Sequence, residues 1–302
     1  MTEILLSARQ PFSFHSVVHS HGWVQLTPFI LDEQNGTLNY TLQLHSGRVL
    51  SLDMAEAPGG VRIITDDMLT EDEQNGLASK LTWMLGLDMD FSSFYEQARQ
   101  EPKLSHVEGK AQGRVLRSAT LFEDVIKTIL TTNTLWAATK RMNNNIIDQF
   151  GAPLASNQSI RAFPTPETLA STTEEVLRTQ TRLGYRAPYV LDVARVVANG
   201  DFDLESLKHS DLPTPDLRKR LLSLKGIGSY AAANLLMLLG RGDFLPIDSW
   251  AMKLVSHEWH GGEAIKPADV EEAFKTWGEW KGLAFWFWDW SYYHQENEEN
   301  TA

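Results

Sequence analysis

Leu221-Leu222-Ser223-Leu224-Lys225-Gly226-Ile227-Gly228-Ser229-Tyr230-Ala231-Ala232-Ala233-Asn234 leads through an apolar run to Phe244-Leu245-Pro246-Ile247-Asp248-Ser249-Trp250-Ala251-Met252-Lys253. Leu221, Leu222 and Leu224 close a helix starting near Thr214, and a second helix is expected from Ser229 to Leu239. Between them, glycines at 226 and 228 give a tight turn whose N–H groups no Cβ shields. Free amides at the positive end of a helix dipole form a phosphate site that needs no basic side chain. A Gly-x-Gly between helices is by itself often a plain turn. A lone carboxylate after a proline, about twenty residues on, sharpens the pattern.

Asp248 allows two readings. Asp is a favoured N-cap, and a helix begins just after it. A carboxylate there can also act beside a developing positive charge, because breaking an N-glycosidic bond builds an oxocarbenium ion on the sugar. It would stabilise that ion and orient or deprotonate the attacking water.

Outward from this stretch, the chain has 302 residues, enough for one large domain or two smaller ones with an ample core. Hydrophobic content of 42% and charged content of 22% suit a soluble globular protein. No apolar run is long enough to span a bilayer, and the start lacks a secretion signal. With no cysteine, disulfides, thiolate nucleophiles, cysteine zinc sites and cysteine-ligated iron–sulfur clusters are excluded. A cytoplasmic, nucleoid-associated monomer is expected, with no membrane contact.

A net charge of −12 argues against a generic nucleic-acid binder. The charge is uneven, however. Residues 110–225 carry 16 Lys+Arg against 12 Asp+Glu, whereas both flanks are acidic. The basic middle segment, with Arg182, Arg186 and Arg195, is either an ordinary solvated mixture or a face that meets phosphate.

Residues 12–65 look strand-like. Val24 to Leu31 is apolar, Leu38, Tyr40, Leu42 and Leu44 alternate, and Asn35-Gly36 signals a two-residue hairpin between them. Val49–Leu52 and Val61–Ile64 suggest two further strands. His15, His19 and His21 cluster without acidic or cysteine partners at ligand spacing, so no metal is assigned to them. Thr70 caps a helix burying Leu77, Leu81, Met84 and Leu85, and helical periodicity then persists to the acidic tail over 295–302. The fold class is therefore α+β and mainly α. A small N-terminal antiparallel β-sheet domain (1–112) precedes an all-helical domain (113–302), with loops near 103–112, 151–165 and 210–215.

Residues 225–253 resemble the helix-hairpin-helix and Gly/Pro/Asp signature of the DNA glycosylase superfamily, HhH-GPD. Leu183-Gly184-Tyr185-Arg186-Ala187-Pro188-Tyr189-Val190 is similar to the matching stretch of 8-oxoguanine DNA glycosylases, and Phe122–Phe150, with Thr131-Thr132-Asn133, to the helix pair that carries their DNA-wedging asparagine. The N-terminal β region resembles in placement that of the same enzymes and of 3-methyladenine DNA glycosylase II. The resemblance implies catalysis by Asp248 and wedging by Asn133. It implies DNA contacts at Lys225, Gly226, Ile227, Gly228, Ser229 and Arg186. It further implies a structural K+ or Na+ at the carbonyls of Leu222, Leu224 and Ile227, with no other cofactor.

Two departures bear on chemistry. Bifunctional relatives carry a lysine right after the hairpin, where this chain has Tyr230. A phenol forms no Schiff base, so this position points to the monofunctional, water-using branch, with Tyr230 lining the base pocket. Near the C-terminus, Phe285 and Asp289 fall at i and i+4 on the face that touches a flipped base in relatives, with Asp289 in place of a stacking aromatic. A slip of one residue would place Trp288 or Trp290 there instead. The implied reaction is removal of an alkylated or oxidised purine from double-stranded DNA. A non-catalytic damage-recognition protein and a glycosylase with lyase activity through another amine are the alternatives.

Overall fold

The computed structural model describes residues 1–290; the acidic tail lies outside the described residues. In chain order the elements are β1 (Thr2–Ser7), α1 (Phe14–Val18), β2 (Phe29–Asp32), β3 (Thr37–Gln43), β4 (Val49–Ala57), β5 (Gly60–Thr65), α2 (Glu71–Leu85) and α3 (Ser92–Ala98). There follow α4 (Leu121–Thr131), α5 (Trp136–Phe150), β6 (Pro153–Leu154), β7 (Asn157–Arg161), α6 (Pro166–Ala170), α7 (Glu174–Thr179) and α8 (Ala187–Ala198). The last are α9 (Thr214–Leu222), α10 (Ser229–Leu238), α11 (Ser249–His260), α12 (Pro267–Ala273) and α13 (Lys281–Phe287).

The chain divides into two compact units. The first comprises Met1–Met89, Arg114–Asp211 and Ser223–Ile227, and the second Asp90–Gly113, Leu212–Leu222 and Gly228 onward. This division does not follow the expected boundary at 112. Within the first unit, buried polar contacts tie the sheet to helix α4. The sheet has five antiparallel strands in the order β1-β5-β4-β3-β2. From β3, Tyr40 donates its hydroxyl to Glu123 Oε2 at 2.7 Å, and Lys127 Nζ meets Glu123 Oε1 at 2.6 Å. Asp124 Oδ1 accepts Trp23 Nε1 at 2.8 Å and the Ser118 amide at 2.9 Å. All these side chains are buried, so each charge is held by partners rather than water.

Other expectations are modified. Strand β1, which the sequence reading omitted, pairs with β5 along its length, from Thr2 opposite Thr65 to Ser7 opposite Gly60. It is an edge strand with no fully buried residue, so its apolar pattern is weak and long-range pairing makes it. The β2–β3 connection spans four residues rather than two, because Asp32 Oδ1 accepts the amides of Gln34 and Asn35 and organises a wider loop. Helix α2 carries the capping box of Thr70 and Glu73 and buries Leu77, Leu81, Met84 and Leu85. The C-terminal part is not all helical, since β6 and β7 pair within the segment expected to be a loop. The second unit packs α9 beside α10 and builds an aromatic core around Phe274, which meets Trp259, Phe285 and Trp288 with ring centroids 5.3 to 5.6 Å apart.

The polar lock in the first unit contains two oppositely perturbed groups. Burial pushes the Asp124 carboxyl up from 3.8 to about 6. Burial pushes His21 down from 6.5 to about 4, where its Nε2 bonds the Leu116 carbonyl. A raised carboxyl contributes stability at low pH that is lost as pH rises through about 6. A depressed imidazole contributes stability at high pH that is lost as pH falls toward about 4. Between pH 6.5 and 4 the two slopes oppose each other. Asp124→Asn should therefore lose about 3 kcal/mol more stability than wild type on acidification over this window. His21→Gln should change with the opposite sign. Denaturant unfolding at both pH values checks this.

Candidate active site and DNA-facing loops

Three local arrangements carry the expected residues. The first surrounds Asp248. Its backbone is extended (φ −132°, ψ −173°), and its Oδ1 accepts the Ala251 amide at 2.8 Å, so it is the N-cap of α11. Capping uses one oxygen, and the residue is exposed. Asp248 also lines a cavity of about 300 Å³ together with Tyr230, Asn234, Pro246, Trp250, Leu254, Phe285, Trp286 and Trp290. That volume is at the small end of ligand pockets, roughly 300–1,000 Å³. Asp248 is thus both the cap of α11 and part of the cavity wall.

Tyr230 stands in the first turn of α10. Burial and the nearby Asp248 charge raise its pKa above the ordinary phenol value, and a hydrogen bond from Asn234 opposes them. The phenol thus stays protonated at neutral pH. Asn234 lies one turn further on and donates Nδ2 to the Tyr230 carbonyl at 3.0 Å. The i, i+4 spacing from Tyr230 was the signal that could have placed Asn234 on the pocket face.

The C-terminal wall differs from expectation. Phe285 lines the cavity, but Asp289 does not. Helix α13 ends at Phe287, and Trp288 leaves helical geometry with ψ 137°, so the i, i+4 relation of residues 285 and 289 is broken. Asp289 is exposed, and its amide donates to the Lys103 carbonyl at 3.0 Å. Trp290 turns back, donating Nε1 to the Phe285 carbonyl at 3.1 Å, and takes the wall position. Trp250 and Trp286, which the sequence reading passed over, complete the lining. No residue lining this cavity carries an amine or a guanidinium.

The second arrangement is the loop after α4. Asn133 is exposed, in left-handed conformation at φ 46°. Arg186, expected among the DNA contacts, is instead buried: its Nη2 donates to the carbonyls of Thr132 and Asn133, and its guanidinium stacks on Tyr185. Tyr185 donates its hydroxyl to the Thr132 carbonyl at 3.1 Å. Trp136, on the far side of the loop, donates Nε1 to Gln25. Between these anchors Leu135 is 81% exposed, a clamped apolar tip that the sequence reading did not single out.

The third is the glycine turn. Gly226 has φ 86°, and a Cβ there would lie 2.7 Å from the Tyr189 Cβ. Gly228 has φ −92°, and a Cβ there would meet nothing within 4 Å. Only the first glycine is required by conformation and packing. Ile227 is buried and its amide bonds the Leu224 carbonyl at 3.2 Å, whereas Gly228 and Ser229 are exposed at the start of α10. Arg218 donates to the Ser229 hydroxyl at 3.2 Å. Leu222 is the last residue of α9.

Among the described residues no group of three or more His, Asp or Glu side chains can hold a metal ion. His19 pairs with Glu33, and His15 stacks on His19. No helix is long and apolar enough to cross a membrane among the same residues.

Residues 126–279 match the family model described as HhH-GPD superfamily base excision DNA repair protein. The chain belongs to that superfamily, and it is a DNA glycosylase. It is 25% identical over 228 residues to "Probable N-glycosylase/DNA lyase" of Methanothermobacter thermautotrophicus, covering 68% of this chain and 72% of that one. It is 27% identical to DNA-3-methyladenine glycosylase of Bacillus subtilis over 67% of this chain and 68% of the relative. Among solved structures, the fold resembles 3-methyladenine DNA-glycosylase from Archaeoglobus fulgidus (TM-score 0.73, 21% identity, 95% and 97% coverage). It also resembles the Clostridium acetobutylicum 8-oxoguanine glycosylase/lyase (TM-score 0.74, 20% identity, 95% of both chains).

The two glycines separate in their stability effects. Gly226→Ala should cost about 1–2 kcal/mol from the left-handed conformation alone, plus the clash with Tyr189. Gly228→Ala should stay within about 0.5 kcal/mol of wild type. Thermal melts of the two variants measure the difference.

Proposed function

We propose that the chain is a monofunctional DNA N-glycosylase that hydrolyses the N-glycosidic bond of a flipped, damaged purine, alkylated or oxidised, and leaves an abasic site. The observation that carries this reading is Tyr230 beside Asp248 in a cavity whose lining offers no amine. Lyase chemistry needs an amine that attacks the sugar, and a phenol held protonated cannot supply one. With one oxygen committed to the cap, the other oxygen of Asp248 is left to face the developing oxocarbenium ion and the attacking water.

Phe285, Trp286, Trp290, Trp250 and the Tyr230 ring supply stacking surface for a base taken out of the duplex. Electron-rich rings and a carboxylate, with no cation among them, favour a positively charged alkylated base over a neutral oxidised one. Asn133 fills the gap left in the stack, and the exposed Leu135 adds an apolar wedge of the kind that separates base steps. The amides at Gly226, Ile227, Gly228 and Ser229, helped by Lys225, hold the phosphate backbone. Arg186 serves indirectly, by holding the Asn133 loop.

A monovalent cation, K+ or Na+, at the carbonyls of Leu222, Leu224 and Ile227 belongs to the same reading. The Leu224 carbonyl accepts the Ile227 amide and keeps a second lone pair, which suits a hard cation. When bound, such an ion adds positive charge on the phosphate side. The protein acts as a monomer on double-stranded DNA.

Lesion-bearing duplexes should release free base while the strand stays intact until alkali treatment, and borohydride should trap no protein–DNA adduct. Asp248→Asn should slow base release by roughly 100-fold or more. Strand cleavage by the wild-type protein, or a trapped adduct, overturns the monofunctional reading. Base release by Asp248→Asn at the wild-type rate overturns the role of Asp248.

A further inference from the structure

Lys225 on the glycine turn is ion-paired with Asp192 on α8. The pair is open to solvent, with the lysine side chain 66% exposed and the carboxylate 30%. Asp192 lies three residues beyond Tyr189, the side chain against which Gly226 packs. Helix α8 thus backs the turn and presents a carboxylate to its one lysine. A turn that holds phosphate gains no attraction for it from a neighbouring carboxylate, and this one is partly open to solvent.

We propose that Asp192 competes with DNA phosphate for Lys225 and so lowers the affinity for undamaged duplex. This rests on the reading that the turn grips DNA. In the free protein the Lys225 charge is answered by Asp192. On binding, a phosphate takes over the lysine, because an exposed ion pair is weak and easily exchanged. Asp192 is then left unpaired beside a phosphate, repels it and takes up a cation from solution. Binding to undamaged DNA consists almost wholly of phosphate contacts and bears this cost in full. A complex at a lesion also buries a base in an aromatic cavity, which offsets the cost. The carboxylate thereby widens the ratio between damaged and undamaged sites.

The test uses full-length wild type, Asp192→Asn, Asp192→Ser, Lys225→Gln and the Asp192→Asn/Lys225→Gln pair, with affinity for undamaged duplex measured by anisotropy from roughly 50 to 200 mM salt. Both Asp192 variants should bind undamaged duplex about threefold to fivefold more tightly at low salt. The slope of log affinity against log salt should steepen by up to about one ion. Lys225→Gln should weaken binding more in the Asp192→Asn background than in wild type, with melting temperatures unchanged. A strut that merely stiffens the turn would give the reverse, weaker binding and lower melting temperature in the Asp192 variants. Unchanged or weaker binding by those variants overturns the proposal, as does an equal cost of Lys225→Gln in both backgrounds. A wild-type protein that binds no duplex overturns the DNA-binding reading itself.

Discussion

One hydrogen bond, from the Ala251 amide to Asp248 Oδ1 at 2.8 Å, fixes both the start of α11 and the position of the carboxylate at the cavity. A cap is usually interchangeable among Ser, Thr, Asp and Asn, because any side-chain oxygen can accept the amide. A site that must face positive charge is not interchangeable, because only the carboxylate carries a charge and a second acceptor oxygen. Holding the residue by one oxygen restrains its rotamer while leaving the other uncommitted by the cap. If Asp248 acts as proposed, the cap would be part of the preorganisation that electrostatic stabilisation requires.

The electrostatics of the chain are less simple than its charge map. Of the sixteen cations over residues 110–225, Arg114, Arg117, Lys127 and Arg186 are buried. Arg114 donates to the carbonyls of Arg9, Pro11 and Gly86, and Arg117 to that of Trp83. The three arginines hold backbone and Lys127 pairs with Glu123, so the basic surplus of the segment is partly internal. The remaining grip would come from amides at a helix start, which act at short range and add no net charge. An acidic protein can then hold DNA where its backbone permits and repel it elsewhere, which limits non-specific association.

Much of the fold was legible because local signals agreed with tertiary needs. The Thr70 capping box, the apolar faces of α2 and α4 and the strand alternation around Tyr40 each demanded one solution. The site residues with a positional signature, Asp248 and Tyr230, fell together at one cavity for the same reason. What escaped depended on termination and long-range pairing. Strand β1 exists because β5 offers an edge, and nothing local announces it. Asp289 was assigned to the pocket by extending a helix that stops two residues earlier. Arg186 carries the charge expected of a surface contact, yet two carbonyls of a neighbouring loop draw it inside.

The same separation of roles runs through the site. Rings and one carboxylate line the cavity, backbone amides and a half-neutralised lysine form the turn, and a clamped loop presents Asn133 and Leu135. Placing the cations outside the cavity has a chemical consequence. A lysine inside it would both repel a cationic base and open the route to a Schiff base. Tyr230 brings neither effect; burial and, second to it, the field of Asp248 raise its phenol pKa, and in the proposed reaction the same field would meet the sugar cation left by the departing base. One carboxylate, with no amine in the lining beside it, would thus supply the charge available to the proposed reaction.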